Sequence, residues 1–432
     1  MVWPLDRRTP WTLGLAAATI LAVACSAQSP TPAPDSTDAA PSSPARALHD
    51  EVPLFDGHND LPWEMRSSAG YDFAARNIGN RLDTGHTDIP RLREGGLGAQ
   101  FWSVYVPASM QGDEAVSATL EQVAAVYEMT RLHPDVFELA RTADDVERVF
   151  GEGKIASMMG AEGGHSIDSS LGALRMFYQL GVRYMTLTHG RNVPWADSAT
   201  DEPAHGGLTT FGEEVVREMN WLGMLVDLSH VSPDTMKDAL RVSQAPVIFS
   251  HSSARALCDV PRNVPDDVLQ LLPANGGIIM ISFVPGFTSQ AVATHGAAAD
   301  AEEARLQAAF ADDETRRQTE MAAWREANPT PRATVAQVAD HIDHVRDIAG
   351  IDHIGLGGDF DGITAVVEGL EDVATYPALT DELLARGYAR DDVKKILGLN
   401  VLRVLRAAEA LSTTLQAERP ASTATIGRLD GE

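Results

Sequence analysis

Histidine and carboxylate side chains follow short apolar runs at several points along the chain. The first are His58 and Asp60, just after the apolar run Pro53–Phe55. Residues two apart on a β-strand project from the same face, so this pair can bind one metal ion together. Imidazole nitrogen and carboxylate oxygen are ligands that suit zinc. Because 13 histidines and 61 acidic residues produce such pairs by chance, the prediction depends on recurrence further along.

Candidate ligands do recur, each where a later apolar run stops. They are Glu162 after the third run, His189 after the fourth, His230 after the fifth, His251 after the sixth and Asp359 after the last. With the first pair, this set exceeds what one four-coordinate zinc ion requires. The surplus predicts two zinc ions with a carboxylate between them.

Glu162 is the best candidate for the bridge, since its flanking glycines let the backbone come close to the site. His58 and Asp60 would then complete one zinc ion, and His230 and His251 the other. Each of these residues taken alone is more often a hydrogen-bonded loop residue than a ligand. Their joint recurrence favours the metal site.

A pair of zinc ions predicts a hydrolytic reaction. Water shared between two ions ~3.5–4 Å apart loses a proton near neutral pH, and this bridging hydroxide can attack a carbonyl carbon that the ions polarise. Asp359 could take the proton and return it to the leaving amine. His189 is not needed as a ligand and could donate a hydrogen bond to the oxyanion.

Two further residues allow alternative interpretations. His165, three residues after Glu162, could be taken for a ligand, but its position in the chain favours a structural role. Arg262 could bind a substrate carboxylate through a bidentate pair. From spacing alone, a surface ion pair with Asp266 or Asp267 is equally compatible.

The elements that would position these residues alternate along the chain. Eight apolar runs predict strands, namely Pro53–Phe55, Ala99–Val106, Ile155–Met159, Tyr184–Leu187, Met224–Leu228, Val247–Phe249, Ile278–Phe283 and Ile354–Leu356. Segments with a 3.6-residue period lie between most of them, for example Ala115–Leu132, Leu171–Leu180, Phe211–Leu222, Pro233–Val242 and Val335–Ala349. Eight such units predict a (β/α)8 barrel, whose active sites lie at the carboxyl ends of the strands. The segment from 286 to 331 predicts a helical insertion before the last strand, with helices near Ala301–Ala311 and Thr315–Ala327.

The ends of the chain differ in composition from this domain. Residues 1–25 predict a signal peptide that closes with a lipobox, Leu21–Cys25, so that Cys25 would carry lipid. Ordinary cleavage nearby, releasing a soluble periplasmic protein, is the alternative. Residues 26–46 predict a disordered tether, 47–411 the folded domain, and 412–432 a polar tail. We therefore expect an exported protein of the bacterial cell envelope, anchored to a membrane by its lipid.

Charge and cysteine content exclude two classes of protein. With 34 basic and 61 acidic residues, the formal charge of −27 repels phosphate backbones, so nucleic acid is not an expected partner. Only two cysteines are present, which excludes a disulfide framework.

Several of these segments resemble the membrane (renal) dipeptidase family of zinc peptidases. The resemblance runs in order from about Leu54 to Leu405 and covers nearly the whole predicted domain. The segments are Phe55–Trp63 (FDGHNDLPW), Glu162–Ile167 (EGGHSI), Leu187–His189 (LTH), Asp227–His230 (DLSH), Ser250–Arg255 (SHSSAR), Pro261–Asp266 (PRNVPD) and Gly358–Gly362 (GDFDG).

The resemblance implies a (β/α)8 barrel of the amidohydrolase type that hydrolyses dipeptides with two zinc ions and is often a homodimer. The residues that match the family's metal ligands are His58, Asp60, Glu162, His230 and His251, with the glutamate bridging. By the same match, His189 and Arg262 bind substrate and Asp359 is the acid/base group. Some family members also cleave dipeptides with a carboxyl-terminal D-residue, dehydropeptides and carbapenem-type β-lactams.

The chain departs from the family pattern at two places. Animal members are tethered by a carboxyl-terminal glycolipid, whereas this chain has the predicted lipobox at Cys25. Mammalian members have a pocket-lining tyrosine after the residue that matches Phe283, where this chain has Val284. The second departure concerns side-chain preference, while the hydrolytic residues are all present.

Two other functions compete with the dipeptidase. A related binuclear-metal hydrolase of N-acyl amino acids, lactones or phosphotriesters often bridges its metals with a modified lysine after the fourth strand, where this chain has Thr188-His189. A non-catalytic envelope lipoprotein would be expected to have lost a ligand or Asp359, and none is missing.

Overall fold

The computed structural model describes residues 43–431. The predicted signal peptide, Cys25 and most of the tether lie outside the described residues. Within that range, the strands are β1 Leu54–Asn59, β2 Leu97–Ser103, β3 Phe137–Leu139, β4 Ile155–Glu162, β5 Val182–Thr186, β6 Leu225–Asp227, β7 Ile248–Ser252, β8 Ile278–Ser282 and β9 Ile354–Gly357.

Eight of these strands form a closed parallel barrel, in the order β2-β1-β9-β8-β7-β6-β5-β4, which β2 closes by pairing with β4. The short strand β3 pairs with the first residues of β4, and β5 pairs with β4 from Met159 onward. The predicted (β/α)8 barrel is thereby confirmed. All of the metal-site candidates at strand ends therefore meet at one end of the barrel.

Burial explains why these strands could be recognised as apolar runs. Every residue of the eight barrel strands is buried. A parallel sheet covered on both faces gives nearly continuous apolar runs rather than alternation. Each of the eight predicted strands overlaps an observed one. Strand β3, which was not predicted, has three residues and only one of them is buried.

Helices follow the strands and surround the barrel. In the described residues they are α1 Pro44–Glu51, α2 Leu61–Ala69, α3 Ile89–Gly95, α4 Gly112–Leu132, α5 Ala143–Gly151, α6 Leu171–Gln179, α7 Thr210–Leu222, α8 Pro233–Val242, α9 Asp266–Leu269, α10 Leu272–Asn275, α11 Pro285–Thr288, α12 Gln290–Ala309, α13 Glu314–Ala327, α14 Val335–Ala349, α15 Tyr376–Ala385, α16 Arg390–Lys394, α17 Asn400–Glu418 and α18 Ile426–Leu429. Serine and threonine caps start many of them, such as Thr209 before α7 and Thr334 before α14.

The predicted insertion before the last strand is present as the helical hairpin α12–α13. Only Leu306 and Met321 of its residues are buried. We call residues 290–327 the helical arm. Its base joins the barrel through α11, which follows β8, and through α14, which leads into β9.

Both ends of the folded domain extend beyond the predicted limits. Helix α1 begins at Pro44, and its Ala45 and Leu48 are fully buried. At the other end, α17 runs to Glu418 rather than stopping near 411. No helix in the described part of the chain is long and apolar enough to cross a membrane.

The expected polar tail packs back onto α7. The indole nitrogen of Trp221 donates to the carbonyl oxygen of Arg419 at 3.0 Å. The Asp430 carboxylate accepts from the Thr209 hydroxyl at 2.6 Å and from the Phe211 N–H at 3.1 Å. Polar residues here are bound by specific partners far away in the sequence, which composition alone could not indicate.

Candidate metal centre

The predicted ligands lie together at the carboxyl end of the barrel. His58 and His251 are residues of β1 and β7, and Glu162 is the last residue of β4. His230 follows β6 in the chain, and Asp359 follows β9. Residues from five different strand ends thus converge on one place.

Glu162 stands between two groups of side chains. Its Oε2 lies 3.3 Å from the Nε2 of His58, while its Oε1 lies 3.0 Å from the Nε2 of His230 and 3.4 Å from that of His251. The Nε2 of His58 is also 3.3 Å from the Oδ2 of Asp60. One carboxylate therefore presents one oxygen to each of the two candidate ligand pairs.

His189 and Asp359 complete the same cluster. The Nε2 of His189 lies 3.7 Å from the Oε1 of Glu162. Asp359 forms a group with His58 and Asp60 whose possible ligand atoms all lie within 4.8 Å of one another. Both residues are thus within reach of a substrate held at the centre.

The donor set fits divalent metal ions. His58 Nε2 and Asp60 Oδ1 are buried and have no hydrogen-bond partner among the described residues. Buried polar atoms are normally paired, so an unpaired imidazole nitrogen beside an unpaired carboxylate oxygen indicates a cation between them. Nitrogen and carboxylate ligands in these numbers match zinc.

Burial and neighbouring charge separate the two acids at the centre. Burial raises the pKa of Glu162, but the imidazoles of His58 and His230 outweigh it and hold that pKa well below its usual range. Burial also raises the pKa of Asp359, and the negative charges of Asp60 and Glu162 add to this, so that it lies well above its usual range. These opposite shifts favour an ionised carboxylate at Glu162 and a protonated one at Asp359.

Two of the converging residues have left-handed backbone conformations. His230 has φ 68° and Asp359 has φ 61°. Residues other than glycine adopt this region at a cost of about 1 kcal/mol or more, and they do so mostly at functional sites. Both side chains belong to the groups of possible ligand atoms at the centre.

Tyr184 supports His58 from inside the barrel. Its hydroxyl lies 2.8 Å from the Nδ1 of His58 and donates to the Gly57 carbonyl at 3.3 Å. The ring occupies space that a Cβ on Gly160 of the neighbouring strand would fill. This contact requires glycine at 160, and it holds the His58 ring with Nε2 toward the centre.

Asp56, two residues before His58, is a supporting residue that the sequence analysis did not identify. Its buried carboxylate accepts from the N–H of His58 at 2.8 Å and from the N–H of Gly358 at 2.7 Å. Tyr376 donates to it at 2.6 Å. Asp56 therefore joins the segments that carry His58 and Asp359.

A cavity of about 560 Å³ opens onto the centre. Besides the cluster, its walls include Val284 and three aromatic residues, Trp63, Tyr105 and Phe287. The three aromatic residues were not predicted as site residues. The centre of the Tyr105 ring lies 5.1 Å from the centre of the His189 ring and 5.1 Å from that of the Trp63 ring. Aromatic and aliphatic walls around a few polar groups are typical of small-molecule sites.

Arg262 lies in the wall of this cavity without an acidic partner. Its guanidinium is buried, contacts the His251 carbonyl at 3.1 Å, and forms no ion pair with a described carboxylate. Burial lowers its pKa to about 10, so it stays charged at neutral pH. Asp266 and Asp267 pair instead with His344 and Lys237, so the alternative of a surface ion pair is wrong.

His165 lies apart from the cluster. Its Nε2 bonds to the carbonyl oxygen of Val106 at 3.0 Å, which agrees with a structural role. A Cβ on Gly163 would collide with its ring, and Gly163 itself has φ 108°. Glycine at 163 lets the chain turn sharply after Glu162.

A closed parallel barrel in which one carboxylate lies between a histidine–aspartate pair and a histidine pair at the carboxyl end is typical of metal-dependent hydrolases of the barrel type. Residues 43–419 match the model of one family of this class, membrane dipeptidase, peptidase family M19. The chain therefore belongs to the membrane dipeptidase family and is an enzyme of the metallo-dipeptidase class.

Relatives in other organisms agree with this assignment. Dipeptidase 3 of Mus musculus is 43% identical over 370 residues, which cover 84% of this chain and 66% of that protein. Dipeptidase tcpJ of Claviceps purpurea is 44% identical over 373 residues, covering 83% of this chain and 78% of that protein. The chain thus spans about two thirds of the length of the mouse protein.

Solved structures show the same architecture. The probable dipeptidase PvdM from Pseudomonas aeruginosa aligns with a TM-score of 0.73 and 26% identity, over 85% of this chain and 98% of that one. A metallo peptidase from Rhodobacter sphaeroides, liganded with a phosphinate mimic of the dipeptide L-Ala-D-Ala, aligns with a TM-score of 0.68 and 26% identity. That alignment covers 83% of this chain and 99% of the other.

Proposed function

We propose that the protein hydrolyses the peptide bond of dipeptides with two zinc ions. His58 and Asp60 would hold one ion, His230 and His251 the other, and Glu162 both. The observation that carries the proposal is the placement of Glu162, with one oxygen toward each histidine group. When bound, zinc supplies Lewis acidity that polarises the scissile carbonyl and makes water acidic enough to act as a nucleophile near neutral pH.

The side chains around the ligands supply proton transfer and orientation. Asp359, whose pKa lies well above its usual range, takes a proton from the attacking water and delivers the same proton to the leaving amine. Burial lowers the pKa of His189, so its ring is neutral and donates one N–H to the developing oxyanion. Tyr105, against the His189 ring, helps to keep that ring in place.

Arg262 makes the site selective for substrates with a free carboxylate. A buried guanidinium without an anionic partner is costly, and a substrate carboxylate satisfies it with charge-assisted hydrogen bonds. The distance from this group to the ligand cluster is spanned within one cavity of about 560 Å³, which suits a molecule of dipeptide size.

We further propose that a D-residue is accepted at the carboxyl-terminal position. The support is the Rhodobacter sphaeroides relative, which was liganded with a mimic of L-Ala-D-Ala. In this chain the walls of the cavity include Val284 and Phe287, and the Arg262 guanidinium lies 5.1 Å from the centre of the Phe287 ring.

N-acyl amino acids are the second candidate substrates, because they would present the same carboxylate to Arg262. They differ from dipeptides in lacking a free amino group. Comparison of Gly-L-Ala, Gly-D-Ala and acetyl-L-Ala with the zinc-loaded protein decides among them. We expect both dipeptides to be cleaved and acetyl-L-Ala not, and cleavage to vanish in Asp359→Asn. Cleavage of acetyl-L-Ala alone would contradict the dipeptidase.

We also propose that the protein is exported to a bacterial cell envelope and anchored by lipid on Cys25. The support is the segment Leu21–Cys25 in the sequence. In a bacterial host fed labelled palmitate, the full chain should take up label and sediment with membranes. Cys25→Ala should do neither, and label retained in that variant would contradict the anchor.

A further inference from the structure

Behind His251 lies a short chain of hydrogen bonds that ends on a buried carboxylate. The hydroxyl of Ser250 is 2.9 Å from the Nδ1 of His251 and 2.7 Å from the Oδ2 of Asp227. All three residues are buried, with at most 1% of their surface exposed. The opposite edge of the same imidazole, at Nε2, faces Glu162 and His230.

Asp227 accepts a hydrogen bond at every contact. Its Oδ1 receives the backbone N–H groups of Ser229 at 3.1 Å and Ser250 at 2.8 Å. Its Oδ2 receives the hydroxyls of Thr186 at 2.5 Å and Ser250 at 2.7 Å. Four donors directed at two oxygens fit an ionised carboxylate, which has no hydrogen to give.

The direction of the remaining bond follows from this count. A serine hydroxyl has one hydrogen, and Ser250 uses it toward Asp227. Its oxygen can then only accept from His251, so Nδ1 of His251 carries the ring hydrogen. In a neutral imidazole this leaves Nε2 with its lone pair directed at the metal centre.

We propose that Asp227, acting through Ser250, fixes His251 in the tautomer that can bind a metal ion. Asp227 is thus a positioning residue, and the inference rests on the zinc site of the proposed function. The same reasoning applies to His58. There the Tyr184 hydroxyl donates its hydrogen to the Gly57 carbonyl, so its oxygen accepts the hydrogen on Nδ1 of His58. At His251 a carboxylate takes the place of that carbonyl.

Asp227→Asn tests the inference because it reverses the chain of bonds. The two backbone N–H groups require the amide oxygen at Oδ1, so the amide NH2 must replace Oδ2. It would donate to Ser250, whose hydroxyl would then donate to Nδ1 of His251 and leave the hydrogen on Nε2. We expect zinc affinity at one of the two sites to fall about 10- to 100-fold, measured by competition with a chromogenic chelator.

Removal of the serine hydroxyl should rescue that loss. In Asp227→Asn with Ser250→Ala, the amide no longer controls His251, so zinc affinity should return to that of Ser250→Ala alone. Thr186→Val is the matched control, because it removes a hydroxyl from the same oxygen of Asp227 without touching His251. Its zinc affinity should stay within about twofold of wild type.

Three results would overturn the inference. They are wild-type affinity in Asp227→Asn, no recovery in the double variant, or a loss in Thr186→Val as large as in Asp227→Asn. Histidine ¹⁵N spectra of the metal-free wild-type protein test it even if Asp227→Asn does not fold. The signals of His251 are assigned as those that disappear from the spectrum of His251→Gln. They should show the ring hydrogen on Nδ1, and a hydrogen on Nε2 would refute the proposal. Failure of the wild type to bind two zinc ions would instead count against the proposed function.

Discussion

The carboxyl end of the barrel buries its polar side chains, whereas the helical arm exposes them to solvent. At the barrel end, Asp56 and Asp227 are fully buried, and each accepts four hydrogen bonds. In the arm, charged groups pair with one another at the surface, as Arg305 does with Glu302 at 2.7 Å, with 60% of the arginine side chain exposed. Both regions carry many charges, but only one of them buries those charges.

The difference teaches where substitution is costly. A buried polar atom that loses its partner costs about 1–3 kcal/mol, and more when it is charged. An exposed ion pair contributes about 0.2–1 kcal/mol. Side chains at the barrel end are therefore fixed in position by their partners, whereas those of the arm are replaceable.

The largest effect is expected from Glu162→Gln at the barrel end. Glutamine keeps the shape of the side chain but presents an N–H2 group to one of the two candidate ligand pairs, and an N–H2 group cannot bind a cation. We expect kcat/KM for a dipeptide to fall by more than about 10³-fold, with fewer than two zinc ions bound by elemental analysis. Glu302→Gln, the same change in the arm, should leave both quantities at wild-type values. A fully active Glu162→Gln would break the contrast between the regions.

Arg262→Lys should have the next largest effect. Lysine keeps the positive charge but cannot form the bidentate pair of hydrogen bonds that arginine forms with a carboxylate. Because hydrogen bonds to charged groups contribute about 1.5–3 kcal/mol, kcat/KM should fall about 100-fold, mainly through a higher KM. Wild type should discriminate against dipeptide amides, which lack the carboxylate, and the variant should do so much less. Arg305→Lys in the arm is the matched control, with unchanged kinetics. An equal loss for dipeptides and their amides would argue against carboxylate binding.

His49 in α1 tests whether burial alone, away from the catalytic end, produces sensitivity. Its ring is buried, bonded to the Gly95 carbonyl and the Thr380 hydroxyl, and burial lowers its pKa to about 4. The unfolded chain, with an ordinary histidine pKa, binds the proton more readily, so this stabilisation is complete above pH 6.5 and is lost as the pH falls toward 4. From pH 7 to 5 the free energy of unfolding should fall by about 2 kcal/mol from this group.

Denaturant unfolding at both pH values measures this change, with His49→Gln as the comparison. Glutamine does not titrate, so the variant should lose about 2 kcal/mol less than wild type over the same interval. Its activity at pH 7 should equal that of wild type. Identical pH dependence in the two proteins would mean that His49 does not contribute.

Arg305→Ala in the arm should have the smallest effect. The substitution breaks an exposed pair with Glu302, so the free energy of unfolding should change by less than about 0.5 kcal/mol and dipeptide hydrolysis not at all. A loss of more than about 2 kcal/mol would show that the arm is not the tolerant region inferred here.

The fold could be predicted from the sequence because burial on both faces marks each barrel strand. Runs such as Ile278–Ile281 have no polar interruption, and the candidate ligands come shortly after other runs of this kind. Helices α8 and α14 were predicted to the residue from their 3.6-residue period, and in the structure Ser232 and Thr334 cap their starts. Strand and helix signals of this kind are local, so one sequence suffices to find them.

The parts that were missed depend on partners far away in the chain. Asp56 and Asp227 precede the ligands, but only their bonds to Gly358 and Ser250 reveal what they do. Tyr105 has no chemical signature in the sequence until the barrel places it against His189. The segment after 411 has the polar composition of a solvated tail. Its polar side chains instead bond to partners about 200 residues earlier, and composition does not reveal such contacts.

The bonds from Asp430 to the start of α7 have a consequence for synthesis. Helix α7 begins at Thr210, yet the N–H of Phe211 in its first turn has its carboxylate acceptor at residue 430. A ribosome adds that acceptor 219 residues later. During translation the first turn of α7 must therefore rely on water and on the Thr209 cap, and the finished contact can form only after β9 and the helices that follow it have been synthesised.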